Sequence, residues 1–266
     1  MKIAVLLSGQ MRDWKACSYN QKFFWTTAVQ EELEVDYFIH TWDYSQDRTG
    51  VTKPYITREI YTEEYKEYID FYKPKKHYID SKTTEYFYGN DHWSSLFYSF
   101  VQTLKFKMEY EKVNNFKYDV VVKSRPDIVF DPTYHFRIPV LFNNALYTTQ
   151  GGPMEMEYGL FNFNDIIFLG NSQSMDLLIN IYHYRQFLIR EFENKSGLYD
   201  KKDSGVHRLG PGVLMHEYFR EYGITPFFNM GWQETIVKLG YPEGLDLFNK
   251  EEFDIMEKYF RDWYLN

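Results

Sequence analysis

Tyr118-Asp119-Val120-Val121-Val122-Lys123-Ser124-Arg125-Pro126-Asp127-Ile128-Val129-Phe130, residues 118 to 130, is the stretch that decides the architecture. Three consecutive valines read as a strand covered on both faces. The run then ends in an arginine and a carboxylate two positions apart, which places Arg125 and Asp127 on the same side of an extended segment. Such a pair can grip a phosphate and its metal, or it can close on itself as a strand-end salt bridge.

Strand and helix signals alternate on either side of this run. Lys2 to Leu7 form an apolar strand closed by Ser8-Gly9-Gln10, and Met11 to Gln30 read as a loop feeding a helix. Val35 to Ile39 give a second strand that stops at His40-Thr41-Trp42-Asp43, followed by a polar loop to about Pro54. Thr62 to Tyr72 are expected to be helical and Lys75 to Ile79 a short strand. Ser94 to Asn114 form the longest helix, with Leu96, Phe100, Leu104 and Met108 repeating every four positions. After the central strand come a Gly-rich and Met-rich loop, a strand at Asp165 to Leu169, and a helix at Ser172 to Glu193. Helices at Pro211 to Tyr222 and Phe253 to Tyr264 complete the chain. The expectation is one α/β domain with no internal repeat.

Composition narrows the function classes. A net charge of -8 gives no basic footprint for nucleic acid, so a small-molecule substrate is the default partner. The single cysteine, Cys17, excludes an internal disulfide and fits a reducing compartment. The apolar run Ile3 to Leu7 is shorter than a signal-peptide core, and no stretch reaches the roughly 18 apolar residues of a membrane span, which together suit a cytoplasmic protein. Aromatics make up 20% of the chain, but alongside abundant Asn, Lys and Ile they read as core filling rather than a stacking surface.

In open α/β sheets, ligands lie beyond the carboxyl ends of the strands. Three strand ends here carry suitable groups: Ser8-Gly9-Gln10 with Arg12, Thr41-Trp42-Asp43, and Arg125 with Asp127. Glycine lets backbone approach a ligand, the arginines suit a diphosphate, and Asp43 or Asp127 suits a ribose hydroxyl or a divalent ion. Together they describe a nucleotide site. Neither the G-x-G-x-x-G fingerprint nor a G-x-x-x-x-G-K-[ST] loop occurs, which argues against a Rossmann dehydrogenase and a P-loop enzyme.

Four stretches, Leu7 to Arg12, Asp36 to Asp43, Tyr118 to Phe130 and Asn164 to Gly170, resemble in order and spacing the small GT-A type glycosyltransferases of bacteriophages, large viruses and bacteria. The likeness covers residues 1 to about 223. It implies a single GT-A-like, Rossmann-like domain with a mostly parallel central sheet flanked by helices. Residues 1–130 would be the nucleotide-sugar half and 131–266 the acceptor half. The implied reaction moves a sugar from a nucleotide-diphosphate donor, with UDP the expected base, to a carbohydrate or glycoconjugate hydroxyl, helped by Mn²⁺ or Mg²⁺. For a viral chain the location would be the host cytoplasm.

The family's D-x-D triplet matches Arg125-Pro126-Asp127, so the first acid is replaced. By resemblance Asp127 would take the metal, while a guanidinium at position 125 could replace much of the metal's charge and make its use weak or optional. Asp165 is favoured by the same resemblance for contact with the acceptor or donor sugar; its plainer reading is a turn carboxylate after Asn164. Similar enzymes place an acid near the start of the helix that follows Gly210-Pro211-Gly212. Gly212 holds that position here, leaving Glu217 as the catalytic candidate and His216 either as a metal ligand or as a packed side chain. Trp42 can pack beside a nucleobase or in the core, and Trp93 suits a helix-entry staple. Lys105, His207, Glu155 and Glu157 carry weaker signals. Two other functions remain open at this stage: a nucleotidyltransferase, and a non-catalytic carbohydrate-binding protein that kept the fold.

Overall fold

Lys2–Ser8 forms β1, buried along nearly its whole length in the computed structural model. The structure describes residues 1–12, 14–27, 33–48, 55–81, 92–130, 141–148, 166–187, 211–227 and 234–236. β1 is followed by α1 (Trp14–Thr27), β2 (Glu34–Trp42), a hairpin of β3 (Tyr44–Arg48) and β4 (Tyr55–Glu59), α2 (Thr62–Tyr72), β5 (Lys76–Asp80) and α3 (His92–Asn114). β6 (Val120–Ser124), β7 (Ile128–Phe130), β8 (Ala145–Thr148) and β9 (Phe168–Gly170) come next. They lead to α4 (Ser172–Asp176), a 3-10 turn at Leu177–Asn180, α5 (Pro211–Tyr222), β10 (Thr225–Phe227) and β11 (Glu234–Ile236).

Seven strands make the main sheet in the order β10-β8-β9-β6-β1-β2-β5. β1 pairs in parallel with β2 on one side and β6 on the other, and β2 pairs in parallel with β5. β9 runs antiparallel to both β6 and β8, while β10 is parallel to β8. The sheet is therefore mixed but mostly parallel, as the alternating strand and helix signals predict.

Its strands are apolar on both faces because helices cover both. Ile3, Val5 and Leu7 of β1 pack with Trp14, Phe24 and Trp25 of α1 and with Tyr68 and Tyr72 of α2. Ala4 and Leu6 pack on the opposite face with Phe97, Phe100, Val101 and Leu104 of α3, and with Leu214, Met215, Tyr218 and Phe219 of α5. Alternation along β1 thus divides two hydrophobic cores. From β1 the chain winds outward to β2 and β5 with α1 and α2 on one face. It then crosses by α3 on the other face and returns to pair β6 against β1. The strand order reverses between β1 and β6, and that is where an open α/β sheet offers a crevice at its carboxyl edge.

Several expectations need correction. The central run 118–130 is not one strand: β6 ends at Ser124, residues 126 and 127 turn, and β7 joins β11 in a separate two-stranded ribbon. Pro126 lacks the N–H that would extend the ladder, which gives the break a physical cause. The polar loop expected from residue 44 to about Pro54 holds β3, which pairs with β4 just beyond it, and β2 runs through His40, Thr41 and Trp42 rather than stopping before them. The helix expected at 172–193 starts as α4 and passes through the 3-10 turn before resuming at 181–187. The terminal helix expected at 253–264 lies outside the described residues.

Gly170, at the end of β9, has no room for a side chain. A Cβ there would meet Leu146 Cδ2 at 2.8 Å and the Ala145 carbonyl oxygen at 3.0 Å, with Ser174 Cβ at 3.3 Å. Gly170→Ala is expected to destabilise the protein by about 1–3 kcal/mol, as measured by urea unfolding, because the backbone oxygen cannot yield as a side chain could.

Candidate functional site

The carboxyl edge around the reversal point collects the three strand-end segments. Gly9 follows β1 with φ at +120°, a conformation that disfavours any side chain, and among the described residues a Cβ placed there would meet nothing within 4 Å. The described residues therefore leave open space directly over the end of β1. The Gly9 amide is not turned toward that space. It donates to the His40 carbonyl at 3.2 Å and to Ser99 Oγ at 3.0 Å, so what Gly9 offers a ligand is its missing side chain rather than its N–H.

Around Gly9 stand buried hydroxyls that lack a hydrogen-bond partner among the described residues: Ser8 Oγ, Thr41 Oγ1 and Ser124 Oγ. Ser8 and Ser124 end β1 and β6, and Thr41 is the next-to-last residue of β2. Alternation puts Thr41 and Ser124 on the face covered by α1 and α2, and Ser8 on the face covered by α3. Buried polar atoms are nearly always paired in native proteins, and these three lie on neighbouring strands; His40 Nε2, Tyr68 OH and the Trp14 indole nitrogen are likewise without a hydrogen-bond partner among the described residues. Ser124 was not singled out from the sequence, since a serine between Lys123 and Arg125 carries no distinguishing pattern.

Arg125 and Asp127 meet, but not as two groups on an extended segment. Arg125 Nε donates to Asp127 Oδ1 at 2.8 Å and Nη2 donates to Oδ2 at 2.6 Å, a two-pronged ion pair. The Asp127 side chain is 1% exposed and that of Arg125 20%, so the guanidinium carries the pair's contact with solvent. The turn that brings them together is held from beneath by Gln21 of α1. Its Nε2 donates to the carbonyls of Arg125 (2.9 Å), Pro126 (3.2 Å) and Ile128 (2.9 Å), while its Oε1 accepts from Tyr72 OH at 3.2 Å. Gln21 is fully buried. No local sequence signal identifies it, because the carbonyls it holds lie more than a hundred residues away and Tyr72 lies 51 away.

This geometry does not suit a divalent ion at Asp127. Both carboxylate oxygens already accept from Arg125, and a cation beside them would have to displace the guanidinium. Among the described residues, no group of three or more His, Cys, Asp or Glu side chains converges on a common point. Asp165 lies outside the described residues. His216 and Glu217 fall on α5, with their side chains outside the described set, as is the Trp93 side chain at the start of α3.

The remaining candidates divide into an open rim and a closed layer. At the rim, Arg12 Nε donates to Gln10 Oε1 at 2.8 Å, and Gln10 also shares a hydrogen bond with Tyr44. Burial pushes the Tyr44 phenol up, and the Gln10 contact works against that. Arg12, Gln10 and half-buried Asp43 thus flank the ends of β1 and β2. Trp42 belongs to the closed layer: it is 1% exposed and packs against His40, Tyr44 and Tyr98. Lys105 lies on the exposed side of α3.

Below this edge runs a polar chain that the sequence did not suggest. His40 Nδ1 and Ser99 Oγ share a hydrogen bond at 3.0 Å, His40 Nε2 lies 3.7 Å from Asp80 Oδ2, and Tyr98 OH donates to that same oxygen at 3.2 Å. Burial lowers the His40 pKa, with the Asp80 carboxylate opposing, and Asp80 is held below the usual carboxylate range chiefly by His40. Both directions are satisfied by a neutral ring that carries its proton on Nε2, facing the carboxylate. Serine, histidine and aspartate in a row suggest a nucleophilic triad, but Ser99 is fully buried on the α3 side, and its oxygen already serves Gly9 and His40.

A scan against protein-family models and a search of curated proteins both return no match to this chain. Among the described residues, no helix is long and apolar enough to cross a membrane.

Replacing Arg125 by Met leaves the Asp127 carboxylate buried without its partner. The expected loss is about 3 kcal/mol in chemical denaturation, at the low end for a buried pair broken on one side because Arg125 reaches solvent. Arg125→Met with Asp127→Leu should recover most of that loss; a double variant no more stable than the single would show that the ion pair is not what Arg125 contributes.

Proposed function

We propose that this chain is a GT-A type glycosyltransferase that moves a sugar from a nucleotide-diphosphate donor, with UDP the expected base, to a hydroxyl of a carbohydrate or glycoconjugate. The observation that carries the reading is the reversal of strand order between β1 and β6, with open space over Gly9 and the Arg125 guanidinium at the adjoining strand end. A crevice at such a point receives a phosphate-bearing ligand in many open α/β sheets. The four stretches of sequence that resemble the family supply the step from a phosphate ligand to a sugar donor.

In this reading Arg12 and Arg125 face the diphosphate, and the orphan hydroxyls of Ser8, Thr41 and Ser124 meet neutral polar groups of the base or ribose. Asp43 stands at the rim for a ribose hydroxyl. The acceptor oxygen forms a new bond to the anomeric carbon while the bond from that carbon to the diphosphate oxygen breaks. The electron pair leaves with the nucleotide, and guanidinium groups stabilise the charge that develops. Asp165 and Glu217 stay the candidates for receiving the acceptor's proton, and His216 with Asp127 for a metal ion, which would have to displace Arg125 from the carboxylate. Because Arg125 already occupies Asp127, Mn²⁺ or Mg²⁺ is proposed as optional to donor binding. Residues 1–130 would hold the donor and residues 131–266 the acceptor, in one cytoplasmic domain.

Titration calorimetry with UDP, GDP, ADP and CDP, in Mn²⁺ and in chelator, tests this directly. One nucleoside diphosphate should bind saturably in both conditions. Arg12→Met should weaken it by about tenfold, the size of one charge-assisted hydrogen bond, without changing the melting temperature of the free protein. Absence of saturable binding to any of the four would remove the transferase and nucleotidyltransferase readings and leave carbohydrate binding as the function to pursue. Binding without release of sugar from the matching donor would point to a fold that has lost its chemistry.

A further inference from the structure

We propose that Ser99, His40 and Asp80 are positioning residues for the carboxyl-edge site, forming a buried polar chain, hydrogen-bonded from Gly9 to His40 and electrostatic from His40 to Asp80, that fixes the backbone of Gly9 at the reversal point between β1 and β6. The claim about ligand affinity rests on the proposed nucleotide reading; the claim about Gly9 does not.

Four elements meet in this chain. Gly9 after β1 donates its amide to Ser99 Oγ of α3 at 3.0 Å, and the Ser99 oxygen lies 3.0 Å from His40 Nδ1 and 3.1 Å from the His40 carbonyl of β2. The other ring nitrogen faces Asp80 at the end of β5. Ser99 and His40 are fully buried and Asp80 is 8% exposed, so these groups have little water with which to exchange partners. Among the described residues, the titratable groups facing His40 are Asp80 and Tyr78 from β5 and Tyr98 from α3.

Direction follows from the charge at the far end. The Asp80 carboxylate accepts only, so it favours the ring tautomer with hydrogen on Nε2. Nδ1 is then an acceptor, and the one Ser99 hydroxyl hydrogen is shared between Nδ1 at 3.0 Å and the His40 carbonyl oxygen at 3.1 Å, while Ser99 Oγ accepts from Gly9. The bond from Gly9 to Ser99 and the shared hydrogen from Ser99 to Nδ1 run toward the ring, and the Nε2 hydrogen faces Asp80. The alternative tautomer would set an Nε2 lone pair against the carboxylate. At 3.7 Å the ring and carboxylate are beyond ordinary hydrogen-bond length, and their contact is electrostatic. Asp80 thereby reaches the Gly9 amide through His40 and Ser99, with no direct contact between the two.

Gly9 is where such support matters. Its φ of +120° is open to glycine, yet glycine is also free to leave it. Without the Ser99 oxygen, its amide keeps only the longer bond to the His40 carbonyl. The two strand-end residues nearest the open space, Ser8 and Gly9, would then lose their fixed position.

Three readouts on the whole chain test the proposal. In the ligand-free protein, Ser99→Ala should speed amide hydrogen exchange at Gly9 by about five- to tenfold while leaving Val5 of the same strand unchanged, and Ser99→Thr should restore protection. Imidazole nitrogen shifts should report the Nε2–H tautomer of His40 in the wild type and a mixture in Asp80→Asn, a signature that packing alone would not move. Affinity for the nucleoside diphosphate identified by titration should fall about fivefold in Ser99→Ala and recover in Ser99→Thr. Unchanged Gly9 exchange in Ser99→Ala, or an unchanged His40 tautomer in Asp80→Asn, would overturn the proposal. If the wild type binds no nucleoside diphosphate, the functional reading fails while exchange and tautomer still decide the chain. If Ser99→Ala does not fold, the tautomer in Asp80→Asn decides it.

Discussion

The parallel ladder between β1 and β6, running from Ile3 against Val120 to Leu7 against Ser124, is the constraint on which the rest of the structure depends. A chain that has already wound outward through β2 and β5 can place β6 there only by crossing the opposite face, which is why α3 packs against Ala4 and Leu6 while α1 and α2 pack against Ile3, Val5 and Leu7. Two separate apolar cores result, and the central strands must be apolar on both sides to satisfy them. The same ladder brings Gly9 and Arg125 to one edge. Packing and site geometry are therefore consequences of one pairing.

Charge at that edge is arranged so that little of it is exposed. Asp127 is closed by Arg125, the turn that joins them is held by Gln21, and Asp80 is shared between His40 and Tyr98. Asp127 and Asp80 are thus partnered within the protein. Among the described residues, the hydroxyls of Ser8, Thr41 and Ser124 and the Nε2 of His40 are left there without a hydrogen-bond partner. An edge with guanidinium groups at its rim and free hydroxyls in its floor suits an anionic ligand that also carries neutral polar groups, which is the chemistry of a nucleotide rather than of a bare phosphate.

Much of the architecture was legible in the sequence. The run Val120 to Val122 marked the buried strand, and α2 and α5 match the patterns read from Thr62 to Tyr72 and Pro211 to Tyr222, because their periodicity and flanking residues are local signals. Breaks inside continuous apolar runs were not legible. The chain from Tyr118 to Phe130 reads as one strand, and only the pairing of β7 with β11 shows that the two halves belong to different sheets. At the site, motif residues adjacent to strand ends could be named in advance. Gln21, Ser99, Asp80 and Tyr98 could not, since they act through partners that only the fold brings near. Trp42 illustrates the opposite limit: its place in a motif suggested a ligand, whereas its ring is enclosed by Tyr98, Tyr44 and His40.

The central claim concerns a place, and locating a bound ligand tests it most directly. A crystal structure grown with UDP, or with whichever nucleoside diphosphate binds most tightly, should show the diphosphate within hydrogen-bond reach of Arg125 and passing over Gly9, with Thr41 or Ser124 bonded to the base or ribose. Density for the nucleotide at any other part of the surface, with the edge between β1 and β6 filled only by water, would contradict the account.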